Sequence, residues 1–193
     1  LLLVVTGKGR KYAALTAVLI ISAATITAAV IPCRTHNPPM QRSVIIDPGH
    51  GGIDPGASDS CGLPEKDINL QIAGKVLNML ESGKYHASLT RYDDRSLDYQ
   101  VNSNDTRHQR DLEARVSQFN TGLYDIFVSI HVNRSSDSRA FGPAVLYSSK
   151  RFESVFLARC IQNRLNRHVK ESFGVTAERK PIKSDFYILR YSK

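Results

Sequence analysis

The chain has 193 residues, 41% hydrophobic and 23% charged, which suits one globular domain with a sizeable core and leaves little room for two. Its net charge of +8 and pI near 9.5 fit an anionic lipid, an anionic wall polymer or simple solubility. No RNP-like aromatic motif, zinc-finger spacing or basic heptad is present, so nucleic acid is not favoured as a partner. Cys33, Cys61 and Cys160 are odd in number and lack C-x-x-C pairing, which excludes a disulfide framework and a cysteine zinc site.

Near the N-terminus, the basic run Lys8–Lys11 precedes Ala13–Ile31, a stretch of 19 residues without a charge. That is close to the shortest apolar length that spans a bilayer. Its place at the start of the chain and the lack of a strict A-x-A site favour a retained anchor over a removed signal peptide. A buried core helix is the competing reading. The Pro-rich stretch 32–42 reads as a linker that cannot continue a helix.

The run Val44–Pro48 is continuous and apolar, as in a strand covered on both faces. After a glycine-rich loop, Ile68, Ile72, Val76 and Leu80 recur at helical spacing, with Pro64 at the start and Gly83 as the stop. His86–Arg91 reads as a second strand and 93–110 as a polar surface loop. Leu112, Val116 and Phe119 share one helical face, and Tyr124–Asn133 is another apolar strand. Ala144–Ser148 reads as a strand, Phe152–Val169 as a helix, and Phe186–Arg190 as a closing strand. This β-α-β-α-β-β-α-β order predicts an α/β sandwich around a largely parallel sheet.

Two of these strands end on a histidine, His50 and His131. In open α/β sheets ligands sit beyond the carboxyl ends of the strands, so the two imidazoles are candidates to converge. With a carboxylate they would make a catalytic zinc set, three protein ligands and one open position. The candidate carboxylate is Glu65. Each piece also has an ordinary reading: a structural histidine after a strand, or Glu65, Lys66 and Asp67 as the solvated, dipole-serving start of a helix. No HExxH is present. Asp47 reads equally as an acceptor that orients a ligand or as a cap of its own turn. Asn133 is a turn residue or a substrate contact. His36, His86, His108 and His168 read as surface residues, and the helix carrying Arg159, Arg164 and Arg167 as a solvated face.

The segments VIIDPGHGGIDPGA, GLPEKDINLQIA, SLTR, DLEARVSQFN, YDIFVSIHVN and DFYILR occur in this order. Together they resemble the zinc-dependent N-acetylmuramoyl-L-alanine amidases of the type 3 family, over essentially all of Ser43 to the end. The resemblance implies a three-layer α/β/α sandwich with a mixed, largely parallel central sheet, and Zn2+ held by His50, Glu65 and His131. It implies a peptidoglycan substrate, and the short anchored layout is most like the family's spore-cortex members. Residues 1–31 are then a membrane anchor or signal segment, 32–42 a linker and 43–193 the catalytic domain, placed outside the cytoplasm. A protein activator is left open. The family's general-base glutamate lies in a segment resembling PAVLVExGF, expected beyond Lys193, so no catalytic base is identifiable here and the domain is expected to be C-terminally truncated. Glu178 is too early to fill that role. A zinc-containing wall-binding module without the base is the alternative reading.

Overall fold

A computed structural model describes residues 2–7 (backbone only), 42–59, 61–133, 142–176 and 178–193. The strands are β1 (Leu2–Gly7), β2 (Ser43–Pro48), β3 (His86–Leu89), β4 (Ile126–His131), β5 (Ala144–Tyr147) and β6 (Ile182–Lys183). The helices are α1 (Glu65–Ser82), α2 (Arg107–Asn120), α3 (Phe152–Phe173) and α4 (Tyr187–Tyr191). One mixed sheet runs β3-β2-β4-β1-β5-β6. Neighbours are parallel except β1 and β4, which are antiparallel, so the sheet is two parallel halves joined at one seam.

The side-chain alternation of the strands builds a core on each face. Val44 and Ile46 of β2, with Ile126, Val128 and Ile130 of β4, pack with Ala73, Val76 and Leu80 of α1 and Leu157, Ile161 and Leu165 of α3. Ile45, Phe127 and Leu146 point the other way, onto Val116 and Phe119 of α2 and Ile188 and Leu189 of α4. This is the expected three-layer sandwich. Among the described residues no helix is long and apolar enough to cross a membrane.

Several expectations change. Leu2–Gly7, read as part of the N-terminal segment, is a strand between β4 and β5. The stretch Ala13–Ile31 and the linker up to Gln41 lie outside the described residues. Phe186–Arg190 is not a strand. Tyr187–Tyr191 is a single helical turn closed by Arg190 N–H to Phe186 O (2.9 Å) and Ser192 N–H to Ile188 O (3.0 Å). Helical spacing there buries the adjacent pair Ile188 and Leu189 against one face, which an alternating strand would have split. Helix α2 begins four residues before Asp111, inside the expected loop, because Thr106 and Gln109 form a capping box. Gly83 caps α1 as expected, and the left-handed residue is the next one, Lys84 (φ 62°).

A candidate metal centre at the strand ends

Strands β2 and β4 are parallel neighbours, with Pro48 opposite Ile130. Gly49 N–H donates to Ile130 O (3.0 Å), so the chain leaves β2 beside the last residues of β4. His50 and His131 therefore emerge at the same edge. A helix that follows a parallel strand must run back along the sheet, so α1 begins at this edge too. Glu65 is its first residue.

The three side chains meet. One ligand atom from each of His50, Glu65 and His131 lies within 4.8 Å of the others. Glu65 Oε1 is 3.1 Å from His131 Nδ1, and Glu65 Oε2 is 3.5 Å from His50 Nε2. The imidazole centroids are 4.8 Å apart and nearly perpendicular. Glu65 is buried (3% exposed), whereas each histidine side chain keeps 21% of its surface accessible. The carboxylate thus forms the floor of the site, and the imidazoles border an open side.

The buried carboxylate is heavily solvated by protein. Glu65 Oε2 accepts from Ala57 N–H (3.0 Å); Oε1 accepts from Val132 N–H (3.0 Å) and Asn69 Nδ2 (3.3 Å). Burial opposes its charge, yet the contacts with His131, His50 and the Ala57 N–H outweigh it and hold its pKa far below the usual carboxylate range. Burial likewise disfavours the His50 imidazolium, but Glu65 and Asp54 favour it more, and its pKa is raised. The cluster is therefore tuned to hold positive charge. Two imidazoles and one carboxylate around an accessible side are the donor set and openness that a catalytic zinc site uses.

The loop carrying His50 is held in an unusual shape. His50 has φ 63°, a left-handed conformation that a non-glycine residue adopts at a cost of order 1–3 kcal/mol. Two buried arginines grip the loop carbonyls. Arg115 donates to Pro48 O (3.0 Å) and His50 O (2.8 Å), and Arg91 to Pro48 O (3.0 Å) and Gly49 O (3.1 Å). Lys66 Nζ donates to Gly52 O (2.7 Å) and pairs with Asp94 (2.6 Å). Gly56 (φ 67°) passes so close that a Cβ there would lie 2.6 Å from His50 Cδ2 and 2.9 Å from Glu65 Oε2.

Asp47 takes neither role considered for it. Its carboxylate accepts from Thr90 Oγ1 (2.6 Å), Ser129 Oγ (2.7 Å) and Arg115 (2.5 Å) beneath the sheet's edge, with no hydrogen bond to His50 or His131. Asn133 is exposed beyond β4; Cys61, His86, His108, His168 and Glu178 are exposed and none is among the three converging residues, though His108 lies near enough to Asp54 to favour its charge; Cys33 and His36 lie outside the described residues. The sequence reading missed Asp54, Asn69, Arg91 and Arg115. For Arg115 a signal existed: an Asp111–Arg115 pair, i and i+4, adjoins the apolar face of α2, where unpaired charge would not survive burial.

A family profile described as N-acetylmuramoyl-L-alanine amidase matches residues 44–193. N-acetylmuramoyl-L-alanine amidase LytC of Bacillus subtilis is 33% identical over 159 residues, covering 81% of this chain and 28% of the relative. The germination-specific N-acetylmuramoyl-L-alanine amidase of the same organism is 31% identical over 130 residues, 67% of this chain and 54% of the relative. Among solved structures, the CwlD amidase of Clostridioides difficile, in complex with the GerS lipoprotein, superposes with a TM-score of 0.67 at 36% identity. That match covers 78% of this chain and 77% of the other. The chain thus spans about a quarter to a half of the length of these two curated relatives.

Proposed function

The chain belongs to the N-acetylmuramoyl-L-alanine amidase family, and from this we propose that it is a zinc-dependent hydrolase of peptidoglycan. Its bond is the amide between N-acetylmuramic acid and the L-alanine of the stem peptide. The observation that carries this reading is the convergence of His50, Glu65 and His131 at one accessible edge. Those three residues would hold the ion. Bound there, zinc supplies Lewis-acid polarisation of a carbonyl and a nucleophilic water near neutral pH.

The chain's own residues set the conditions for that chemistry. Glu65, fixed by two backbone N–H groups, contributes negative charge that cannot rotate away. Arg91 and Arg115 lock the His50 loop, so the imidazole is held in place before substrate arrives. The exposed sides of His50 and His131 leave an approach for a substrate carbonyl. No residue among those described is assigned the general-base role.

The finer reading has the enzyme act outside the cytoplasm, in the spore cortex. The likeness to a germination-specific amidase and to CwlD supports that placement. Removal of the stem peptide would there expose muramic acid for lactam formation by a second enzyme, and a lipoprotein partner would be an activator.

Two measurements test the proposal. The purified protein should bind one zinc per chain, with binding lost in His50→Ala and in His131→Ala. Extended through the family's general-base segment and incubated with muropeptides, it should release stem peptide in a zinc-dependent way. Zinc stoichiometry untouched by both substitutions would end the metal-centre reading; full zinc occupancy with intact muropeptides would end the enzyme reading.

A further inference from the structure

Asp54 lies beside the metal centre with both carboxylate oxygens engaged. Oδ2 is 2.9 Å from His50 Nδ1, and Oδ1 accepts from Gly56 N–H (3.1 Å). A tight turn fixes the spacing: Gly51 N–H donates to Asp54 O (3.1 Å) and Asp54 N–H to Gly51 O (3.2 Å). An ionised carboxylate has no proton to give, so a contact of this length places the proton on His50 Nδ1. In the neutral ring the single proton stays with the nearer carboxylate, Asp54 at 2.9 Å against Glu65 at 3.5 Å, and the lone pair is left on Nε2, the nitrogen that faces Glu65. His131 is arranged in the opposite sense, presenting Nδ1 to Glu65.

We infer that Asp54 is a positioning residue, which selects the Nδ1–H tautomer of His50 and aims its Nε2 lone pair at a divalent cation held with Glu65 and His131. The inference rests on the metal-centre reading and deepens it. Outer carboxylates that orient a ligand histidine in this way typically contribute 10–100-fold to metal affinity.

The competing role for Asp54 is a turn cap, through its contact with Gly56 N–H alone. Asparagine separates the two. Asp54→Asn keeps the shape and can still cap Gly56 with its amide oxygen. That orientation turns the amide NH2 towards His50 Nδ1, which must then accept, leaving the proton on Nε2 where the cation should bind. Flipping the amide restores His50 but sets two donors against each other at Gly56. A residue that only capped the turn would tolerate the change.

The experiment measures zinc affinity by chelator competition for the wild type, Asp54→Asn, Asp54→Ala and His50→Ala. Proton–nitrogen correlation spectra of the imidazoles are recorded on the metal-free wild type and Asp54→Asn, at a pH high enough for His50 to be neutral. The expected results are an Nδ1–H tautomer at His50 in the wild type, an Nε2–H tautomer in Asp54→Asn, and affinity reduced about 10–100-fold in both Asp54 variants. An Nε2–H tautomer at His50 in the wild type would overturn the inference without any variant having to fold. So would wild-type affinity in Asp54→Asn, or a loss of affinity there with the tautomer unchanged. His50→Ala keeps the two levels apart: if it binds zinc like the wild type the metal-centre reading itself fails, and if it alone loses zinc only the role of Asp54 fails.

Discussion

At Gly49 the main chain runs directly against the His131 imidazole. A Cβ added there would fall 2.2 Å from Cε1 and 2.3 Å from Nε2 of that ring, far inside van der Waals contact. Neither side can yield cheaply, because Gly49 is tied to Ile130 O by its N–H while its own carbonyl accepts from Arg91 and Asn69. Gly49→Ala should therefore displace the His131 ring rather than the backbone. Turnover of muropeptides should fall by on the order of 10²-fold, as misplacements of about 1 Å can cause. Zinc titration and steady-state kinetics would check this, and an alanine variant with wild-type turnover would show that the ring's position is not fixed by this contact. In the sequence this residue is one of several glycines in the motif VIIDPGHGGIDPGA. What it is small for, a ring arriving from 82 residues further along the chain, only the packing reveals.

Between elements, the decisive feature is a buried ion cluster that joins β2, β4 and α2. Arg115 is 2.5 Å from Asp47 and 2.7 Å from Asp111, with all three side chains nearly inaccessible. Alternation along the strands explains its location: Asp47 and Ser129 share the sheet face of Ile45 and Phe127, the face that α2 covers. Burial opposes the Asp47 charge, but Arg115, Ser129 and Thr90 more than offset it and lower its pKa below 3.8. A carboxyl whose folded pKa is depressed binds fewer protons when folded than when unfolded. Its stabilisation is thus complete above about pH 4 and drains away as pH falls through the lower folded value. Urea unfolding followed from neutral to acid pH should show this loss. Arg115→Met, which leaves two buried carboxylates without their partner, should cost about 3–5 kcal/mol at neutral pH and move the onset of acid unfolding upward. A variant as stable as the wild type would mean the cluster contributes nothing net. DLEARVSQFN announces an amphipathic helix and, by its i, i+4 spacing, the Asp111–Arg115 pair, but not the third member, Asp47, which lies 68 residues from Arg115 in the chain. The misread Phe186–Arg190 belongs to the same class of error. Five residues are too few to separate a period of two from one of 3.6, and the burial of Ile188 and Leu189 against α2 decides the outcome.

For the whole molecule, the candidate metal centre sits at the edge of a sandwich whose cores lie elsewhere, so fold and site should respond differently to chelation. Removing zinc should abolish amide hydrolysis while far-ultraviolet circular dichroism stays native. Adding it back should raise the thermal midpoint, by about 2.7 kcal/mol of stability at a free ion concentration 100 times Kd. Calorimetry with and without chelator would measure both, and a chain that unfolds on chelation would refute the separation. The sequence by itself determined the α/β class, the two strands that lead to His50 and His131 and the helix that follows the first of them; that Glu65 joins the two histidines as one set came from the resemblance of the ordered motifs to the amidase family. It could do so because periodicity, strand length and the short return from strand to helix are local, and because parallel strands send their ends one way. Only the tertiary structure decided that Leu2–Gly7 fills the seam between β4 and β5, that Arg91 and Arg115 clamp the His50 loop, and that Asp54 faces Nδ1 of that histidine. Those facts depend on hydrogen-bond partners far away in the chain or on the direction of a side chain in a tight loop. Neither leaves a repeat in the order of residues.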